Sequence, residues 1–468
     1  MTKTLVMKFG GTSVGSAAAI RNLIEIVRRV RAREAWPRVA VVVSAMNGVT
    51  DGLLTAAHAA AQGDAETPRQ IADSLREKHL AALRELAPKA DAAGQVIADL
   101  LNEFTALCHA INILGEASPR ALDAIASLGE RMSAPLVAAA LTEAGCAARA
   151  VDASEVVITD AVYQSASPDM EATRARAEAV VAPLLAEGIV PVITGFVGAT
   201  KAGVVTTLGR GGSDFSGAIF GVALDADEVW IWTDVNGVMT ADPRVAKDAR
   251  TLPELTFREI SELAFYGAKV LHPKTIRPVV ERGIALRVKN TFQPDQPGTQ
   301  IVADNHVTHG SVKAVTAFTG QCIITLEGRG MLGIPGIAAR TFGAVARTKT
   351  SVAMISQASS EQSICFVVPC TSKEAVLHAL EEEFRLELAR QDIDRITASD
   401  ECAVVTVVGA GMRHTPGIAG QVFGALGAAG VNVVVIAQGS SECSISLTVD
   451  AKQADEAVRA IHKLIVNS

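Results

Sequence analysis

At 468 residues the chain exceeds one ordinary core, and a spacing of roughly 150 residues per domain allows about three. A formal charge of -7 and the lack of a Lys/Arg-dense tract argue against nucleic acid or anionic membrane as the main partner and favour a small-molecule ligand. The seven cysteines are scattered, odd in number and never in a C-x-x-C pair, so reduced buried thiols are expected rather than disulfides or a zinc cage; the metal-ligand expectation is none.

The first residues lack an apolar leader, and no apolar run is read as long enough to span a membrane, so a cytoplasmic protein is expected. Residues 4–9 read as a buried strand that ends at Phe9 and breaks at Gly10 and Gly11. Residues 17–30 follow with helical spacing, Ile20, Leu23, Ile24 and Val27 sharing one face. Strand, glycine turn and helix form a phosphate-cradling layout, with Lys8 at the strand end and hydroxyls on Thr12 and Ser13. The order differs from the Walker pattern, whose lysine follows the glycines, and a plain strand-to-helix connection has the same appearance. Residues 39–43 are a second continuous apolar strand, which implies a parallel sheet covered by helices. This strand runs into a polar loop, 44–51, where Ser44 and Thr50 are ligand contacts or helix caps.

Residues 53–144 are Ala-rich and helical, and His58, His79 and His109 lack partners at ligand spacing, so surface or packing roles are expected. Glu130 follows an apolar stretch and Gly129; it either presents a carboxylate to an amino group or pairs with Arg131. Further buried strands are read at 190–195 and 228–233. Between them lies TTLGRGGSDFSG, 206–217. Its glycines expose backbone N–H groups at a helix start, which suits an anion, and Arg210 can grip a carboxylate or phosphate bidentately. Asp214 in that loop repels anions unless it holds a cation supplied from elsewhere in the chain. After the second strand, Thr233, Asp234, Met239 and Arg244 fall in a turn-rich segment that lines a nucleoside pocket or forms a surface loop. A second lysine, Lys269, arrives in GAKVLHP.

KFGGTSVGS (8–16), VVSAMNGVTD (42–51), Gly-Glu-Arg at 129–131, TTLGRGGSD, WTDVNGV with ADPR, and GAKVLHP together resemble aspartate kinase of the amino-acid kinase family. Each piece is weak alone; six in the family's order are specific. The resemblance implies ATP-dependent phosphorylation of the L-aspartate side-chain carboxylate, with Mg2+ carried on the ATP phosphates. It places Lys8 on the transferred phosphoryl group, with Asp214 orienting that lysine, and Lys269 on the nucleotide phosphates. Substrate contacts would come from Ser44, Thr50, Glu130, Arg210, Gly211, Gly212 and Ser213, with Arg210 on the α-carboxylate and Glu130 on the amino group. ATP would lie against Lys8, Phe9, Gly10, Gly11, Thr233, Asp234, Met239, Arg244 and Lys269. Met239 departs from the tyrosine common at that position. Such chemistry needs no general base, because the nucleophilic carboxylate is already ionised; aligning two anions and neutralising the charge between them is the task.

From residue 321 onward an internal repeat appears. Gly328 to Ile364 aligns without gaps onto Gly409 to Ile445: Pro335-Gly336-Ile337-Ala338 matches Pro416-Gly417-Ile418-Ala419, Phe342 matches Phe423, and QASSE at 357–361 matches QGSSE at 438–442. Each copy resembles the ACT domain, a βαββαβ unit that binds amino acids between paired copies. Copy two runs out of chain before its last strand, so residues 311–318 are expected to complete it, making copy one an insertion. Gly328-x-Gly330-x-x-Gly333 also fits a dinucleotide pattern, but copy two has His414 in place of the third glycine and no acidic residue follows at the required spacing.

The expected class is α/β: a carbamate-kinase-like, three-layer αβα amino-acid kinase domain over 1–305, plus two ferredoxin-like ACT domains. The first is expected at 319–398 and the second at 306–318 plus 399–468. Gln357 and Gln438 close the same strand in both copies, as edge polarity or as effector contacts; the repeated QxSSE resembles threonine-sensitive aspartate kinases more than lysine-sensitive ones. A homo-oligomer, dimer or tetramer, is expected. Other amino-acid kinases, for glutamate or N-acetylglutamate, and a non-catalytic amino-acid sensor are the alternatives. Since the sequence stops at Ser468, a fused homoserine dehydrogenase is not expected.

Overall fold

The structure is a computed structural model that describes residues 3–32, 36–209, 211–266, 271, 273–303, 312–357, 362–439 and 442–466. The chain divides into two compact units.

The first unit comprises 1–238, 253–255 and 270–303. Thr4–Phe9 (β1) and Arg38–Val43 (β2) are nearly continuous runs of buried residues, as strands covered on both faces must be. Ala148–Val151 (β3), Val190–Thr194 (β4), Glu228–Thr233 (β5), Ala285–Asn290 (β6) and Thr299–Val302 (β7) complete most of an eight-stranded sheet in the order β3-β4-β2-β1-β5-β6-β7, with Glu254–Thr256 at the far edge. Pairing is parallel from β3 to β6 and antiparallel between β6 and β7. Its parallel centre brings the carboxyl ends of β1, β2, β4 and β5 to one edge, the edge at which open α/β sheets bind ligands.

Helices Ala17–Ala32 (α1), Val49–Ala61 (α2), Glu66–Leu86 (α3), Asp91–Leu114 (α4) and Pro119–Glu143 (α5) follow the sequence periodicity closely. By length and composition α4 could cross a membrane, which the sequence reading overlooked. Its Ile97, Leu101, Phe104 and Ile111 are packed into the core cluster that also holds Leu53, Leu75 and Leu128. Of the three early histidines, His58 and His109 are exposed and His79 is fully buried. The His79 Nδ1 lies 2.7 Å from the Leu75 carbonyl while Nε2 has no partner, and burial lowers its pKa to about 4. Unfolding restores the ordinary value of 6.5, so the neutral ring stabilises the fold above that pH and the contribution is lost as pH falls from 6.5 toward 4. The loss should reach roughly 3 kcal/mol. Urea melts of the wild type and of His79→Leu across this window check it: the variant should lack this component of the acid sensitivity.

The second unit comprises 239–252, 256–269 and 304–468. Ala314–Glu327 (β8), Met354–Gln357 (β9), Ser363–Pro369 (β10), Arg395–Val408 (β11), Val435–Gln438 (β12) and Ser444–Asp450 (β13) form one antiparallel sheet ordered β9-β10-β8-β11-β13-β12. The long strands β8 and β11 run along each other and are each divided between the copies. Residues 321–327 pair with β10, whereas 314–318 pair with 404–408, the first strand of copy two. Register shifts at Phe318/Gln321 and Cys322/Ile324 separate the two halves. Helices Ile337–Arg347 and Lys373–Glu383 cover copy one, and Ile418–Ala428 and Ala454–Val466 cover copy two.

The expectation of free thiols is corrected here, since Cys322 and Cys370 form a disulfide with Cα atoms 5.1 Å apart. The β8–β10 register places Gln321 opposite Pro369 and Cys322 opposite Val368, so Cys370 sits diagonal to Cys322 within bridging reach. Spacing along the chain carries no trace of that register.

Candidate active site

A cleft of about 660 Å³ opens in the first unit and is lined by Lys8, Gly11, Ser44, Thr50, Glu130, Gly211, Gly212, Ser213 and Asp214. Lys8 reaches it from β1, and Ser44 and Thr50 come from the loop after β2 and the first turn of α2. Gly48, not Thr50, occupies the α2 cap position, which removes the capping alternative for Thr50. Gly209 and Gly211 have φ of 76° and 74°, a region costly for a side chain. They turn the chain from the strand at Val205–Thr207 into helix Gly212–Ala223 (α6).

The Lys8 Nζ lies 2.5 Å from Asp214 Oδ1, and the two side chains are only 9% and 19% exposed. Asp214 Oδ1 nevertheless has no aligned hydrogen-bond partner, so the contact is an ion pair fixed by proximity. An added Cβ at Gly217 would stand 3.1 Å from the Lys8 Cβ, so α6 rests directly against the lysine stem. Asp214 is thereby the carboxylate that holds a cation brought from the other end of the domain sequence. An ammonium has three donors, so Lys8 held beside Asp214 by charge keeps donors for a phosphoryl oxygen.

Glu130 is 3% exposed, and its Oε2 has no partner. Burial pushes its carboxyl up to about 8, opposed by the Ala45 N–H, the Lys8 charge and the Ser213 hydroxyl. Close approach is possible because residue 129 is glycine: a Cβ there would meet the Ala45 Cβ at 2.8 Å. Arg131 points elsewhere and pairs with Asp152 at 2.8 Å and Glu103 at 3.4 Å, so the alternative of a Glu130–Arg131 solvated pair is set aside.

Asp123 was not anticipated. It is 1% exposed and accepts from the Gln164 N–H, the Thr207 N–H and the Thr207 hydroxyl, the last at 2.7 Å. It thus fastens α5 to the segment that leads into the glycine loop. In sequence it is one carboxylate in an Ala-rich amphipathic run, with no local sign that it faces inward.

On the side of β5, the Gly10 N–H donates to the Trp232 carbonyl at 3.0 Å. Ser13 is fully buried, its hydroxyl within 2.7 Å of Thr291 Oγ1 and facing the Trp232 carbonyl. This hydroxyl braces the glycine turn and is not offered to a phosphate. The Phe9 ring is buried and stacked on Trp232 at 5.8 Å between centroids, and its carbonyl accepts from Ser44, so the contact expected of Phe9 with ATP has no free side chain behind it. The Thr233 hydroxyl donates to Asp234, and Asn290 braces the next turn by donating to Asn236 at 2.7 Å and to the Asp234 carbonyl at 3.4 Å.

Arg210 and Lys269 lie outside the described residues. Met239 and Arg244 fold with the second unit, where Arg244 is exposed and grips Asp242. Gln357 and Gln438 end the outer strands β9 and β12 at matching registers, opposite Ile364 and Ile445, and both are exposed. Among the described residues no group of three or more His, Cys, Asp or Glu side chains could hold a metal ion.

Residues 3–290 match the amino acid kinase family, and 324–384 and 405–464 match the ACT domain. The bifunctional aspartokinase/homoserine dehydrogenase 1, chloroplastic, of Zea mays is 37% identical over 465 residues, covering 98% of this chain and 50% of that protein. The aspartokinase of Schizosaccharomyces pombe is 31% identical over 492 residues, covering 98% of this chain and 92% of that protein. The chain spans about half the length of the plant bifunctional relatives it matches. Among solved structures, E. coli aspartokinase III in complex with aspartate and ADP (R-state) superposes with a TM-score of 0.81 at 30% identity, covering 99% of this chain and 100% of that one. The same enzyme in complex with lysine and aspartate (T-state) gives 0.78 at 32% identity, covering 98% and 99%. With a kinase match over more than half its length, an ACT match in each repeat, and an aspartokinase aligned along nearly its whole length, the chain belongs to the amino acid kinase family, among its aspartokinases.

Proposed function

We propose that this chain transfers the γ-phosphoryl group of ATP to the side-chain carboxylate of L-aspartate, giving 4-phospho-L-aspartate and ADP, the entry to lysine, threonine and methionine synthesis. The observation that carries this is the Lys8–Asp214 ion pair in the same cleft as the buried Glu130, whose Oε2 has no partner. Lys8 supplies positive charge where the two anions meet, and Asp214 fixes its direction. Glu130 receives the substrate ammonium, Arg210 its α-carboxylate, and Ser44, Thr50, Ser213 and the backbone at Gly211 and Gly212 add hydrogen bonds. Phe9, Gly10, Gly11, Thr233, Asp234, Met239, Arg244 and Lys269 border ATP, with Phe9 acting through its backbone. Mg2+ arrives on the nucleotide phosphates, neutralising charge there. The E. coli neighbour solved with aspartate and ADP supports this assignment. ADP release with L-aspartate, L-glutamate and N-acetyl-L-glutamate as acceptors tests it: turnover should be confined to aspartate, and preference for either glutamate acceptor would refute it.

In the second unit we read copy one as inserted within copy two, supported by the pairing of 314–318 with 404–408. The copies pair between chains of a cytoplasmic homo-oligomer and take threonine through Gln357 or Gln438, lowering substrate affinity. The E. coli neighbour solved with lysine makes lysine the competing effector. Separate titrations of threonine and lysine into the activity assay should show inhibition by threonine, reduced in Gln357→Ala or Gln438→Ala; inhibition by lysine alone would reverse the assignment.

A further inference from the structure

Copy one of the second unit carries a covalent bond that copy two lacks. Cys322 stands in β8, and Cys370 opens the short turn, Cys370–Ser372, that leads into helix Lys373–Glu383, so their disulfide ties strand to helix. At the offset that aligns Gly328 with Gly409, Cys322 corresponds to Ala403 and Cys370 to Ala451. Around those alanines the same parts form: Ala403 pairs with Val449 as Cys322 pairs with Val368, and the turn Ala451–Gln453 leads into helix Ala454–Val466. Strand, turn and helix therefore assemble without a bond at this position.

The bond lies where the two copies join. The β8–β11 register shifts beside it, at Phe318/Gln321 and at Cys322/Ile324. There the Ile323 N–H donates to the Ser399 hydroxyl at 2.9 Å, and Lys373, the first residue of the helix, reaches the Ser399 carbonyl at 3.5 Å. Val376 and Leu380 of that helix pack with Ile324 and Leu326 in the core of copy one. The disulfide thus pins the start of this helix to an irregular joint in the ladder. Cys322 is 2% exposed, whereas Cys370 is only half-buried, so a small dithiol approaches from the Cys370 side. On the cytoplasmic reading proposed above, a disulfide in that reducing compartment is of the transient or redox-sensing kind.

We propose that the Cys322–Cys370 bond is a redox-responsive latch: a dithiol reductant opens it in the folded protein, loosening the start of helix Lys373–Glu383 and weakening inhibition by the amino-acid effector. The last part rests on the regulation proposed above. A thiolate of the reductant attacks the Cys370 sulfur, and Cys322 leaves as a thiolate that takes up a proton. The second thiol of the reductant then closes its own disulfide and releases Cys370. The protein bond gains two electrons and two protons, and the dithiol is oxidised to a cyclic disulfide.

The test uses the full chain with reduced dithiothreitol as the probe. Denatured and alkylated without reduction, the protein should carry label on five cysteines, Cys108, Cys146, Cys365, Cys402 and Cys443. After native reduction all seven should be labelled. Seven labels before reduction, or five after it, overturn the latch. Native reduction should speed amide hydrogen exchange across 373–383 about tenfold and leave 454–466 within about twofold; equal change in the two helices, or none, overturns it as well. The threonine or lysine concentration giving half-inhibition should rise about fivefold on reduction, with effector-free kcat within about twofold. Half-inhibition unmoved by reduction overturns the regulatory part. Cys322→Ala with Cys370→Ala should match the reduced wild type and ignore dithiothreitol; a variant that still responds places the effect at another cysteine and sinks the proposal. Absence of inhibition by either amino acid in the oxidised protein would instead refute the effector regulation proposed above, and hydrogen exchange then decides the latch by itself.

Discussion

Aspartate should bind about tenfold more weakly at pH 7 than on the plateau reached above pH 8, and the change should belong to Glu130. In the ligand-free protein, burial holds this carboxyl protonated up to about 8. Only its ionised form attracts an ammonium, so below pH 8 each binding event must first expel a proton. Apparent affinity then rises by about a factor of ten per pH unit up to the folded pKa and levels off beyond it. The same shift acts on stability with the opposite slope. The native state keeps a proton that the unfolded chain loses near 4.5, so ligand-free stability falls as pH rises from 4.5 through 8. Calorimetric titration of aspartate at pH 7 in buffers of different ionisation enthalpy should report nearly one proton released. Glu130→Gln keeps the shape and removes the titration: its affinity should be lower by about a hundredfold and flat with pH over this range. Equal proton release in wild type and variant would mean that another group responds.

Replacing Lys8 by alanine should lower kcat about a thousandfold, because on the proposed function the transferring phosphoryl group loses the one cation that the described residues place in the cleft. Asp214→Asn should cost less, about ten- to a hundredfold in kcat with little change in either KM. In that variant the ammonium stays but loses the charge that aims it. The two substitutions should also fail to add. With Lys8 gone Asp214 has nothing to orient, so Lys8→Ala with Asp214→Asn should be about as slow as Lys8→Ala alone. Steady-state kinetics on the four proteins decides this, and additive losses would show that Asp214 acts independently of Lys8.

Much of this site was legible in the sequence because its parts lie at strand ends, where continuous apolar runs stop at glycines and hydroxyls. Lys8 after an apolar strand, Ser44 after the next, and Asp214 at a helix start were visible as three separate oddities. Their meeting follows from a parallel sheet that brings those ends to one edge. The repeat made the second sheet readable in the same way, as two matching sets of strands and helices. What escaped depended on tertiary register. Asp123 turns inward only because Thr207 and Gln164 arrive opposite it, and Cys370 meets Cys322 only through the β8–β10 alignment. Ser13 looked like a phosphate contact until Thr291, 278 residues away in sequence, claimed its hydroxyl. The segment after Val238 lies within the kinase-family match, and the burial of its Ala241 and Ala246 among helices of copy two has no local sign in the sequence.

The most direct test of the account is hydroxylamine trapping of the acyl phosphate formed from ATP and L-aspartate, run on the wild type and on Lys8→Ala. ATP-dependent aspartyl hydroxamate is expected from the wild type, and a yield from Lys8→Ala lower by about a thousandfold at equal folded protein. Hydroxamate formation undiminished in Lys8→Ala, or none from the wild type, would contradict it.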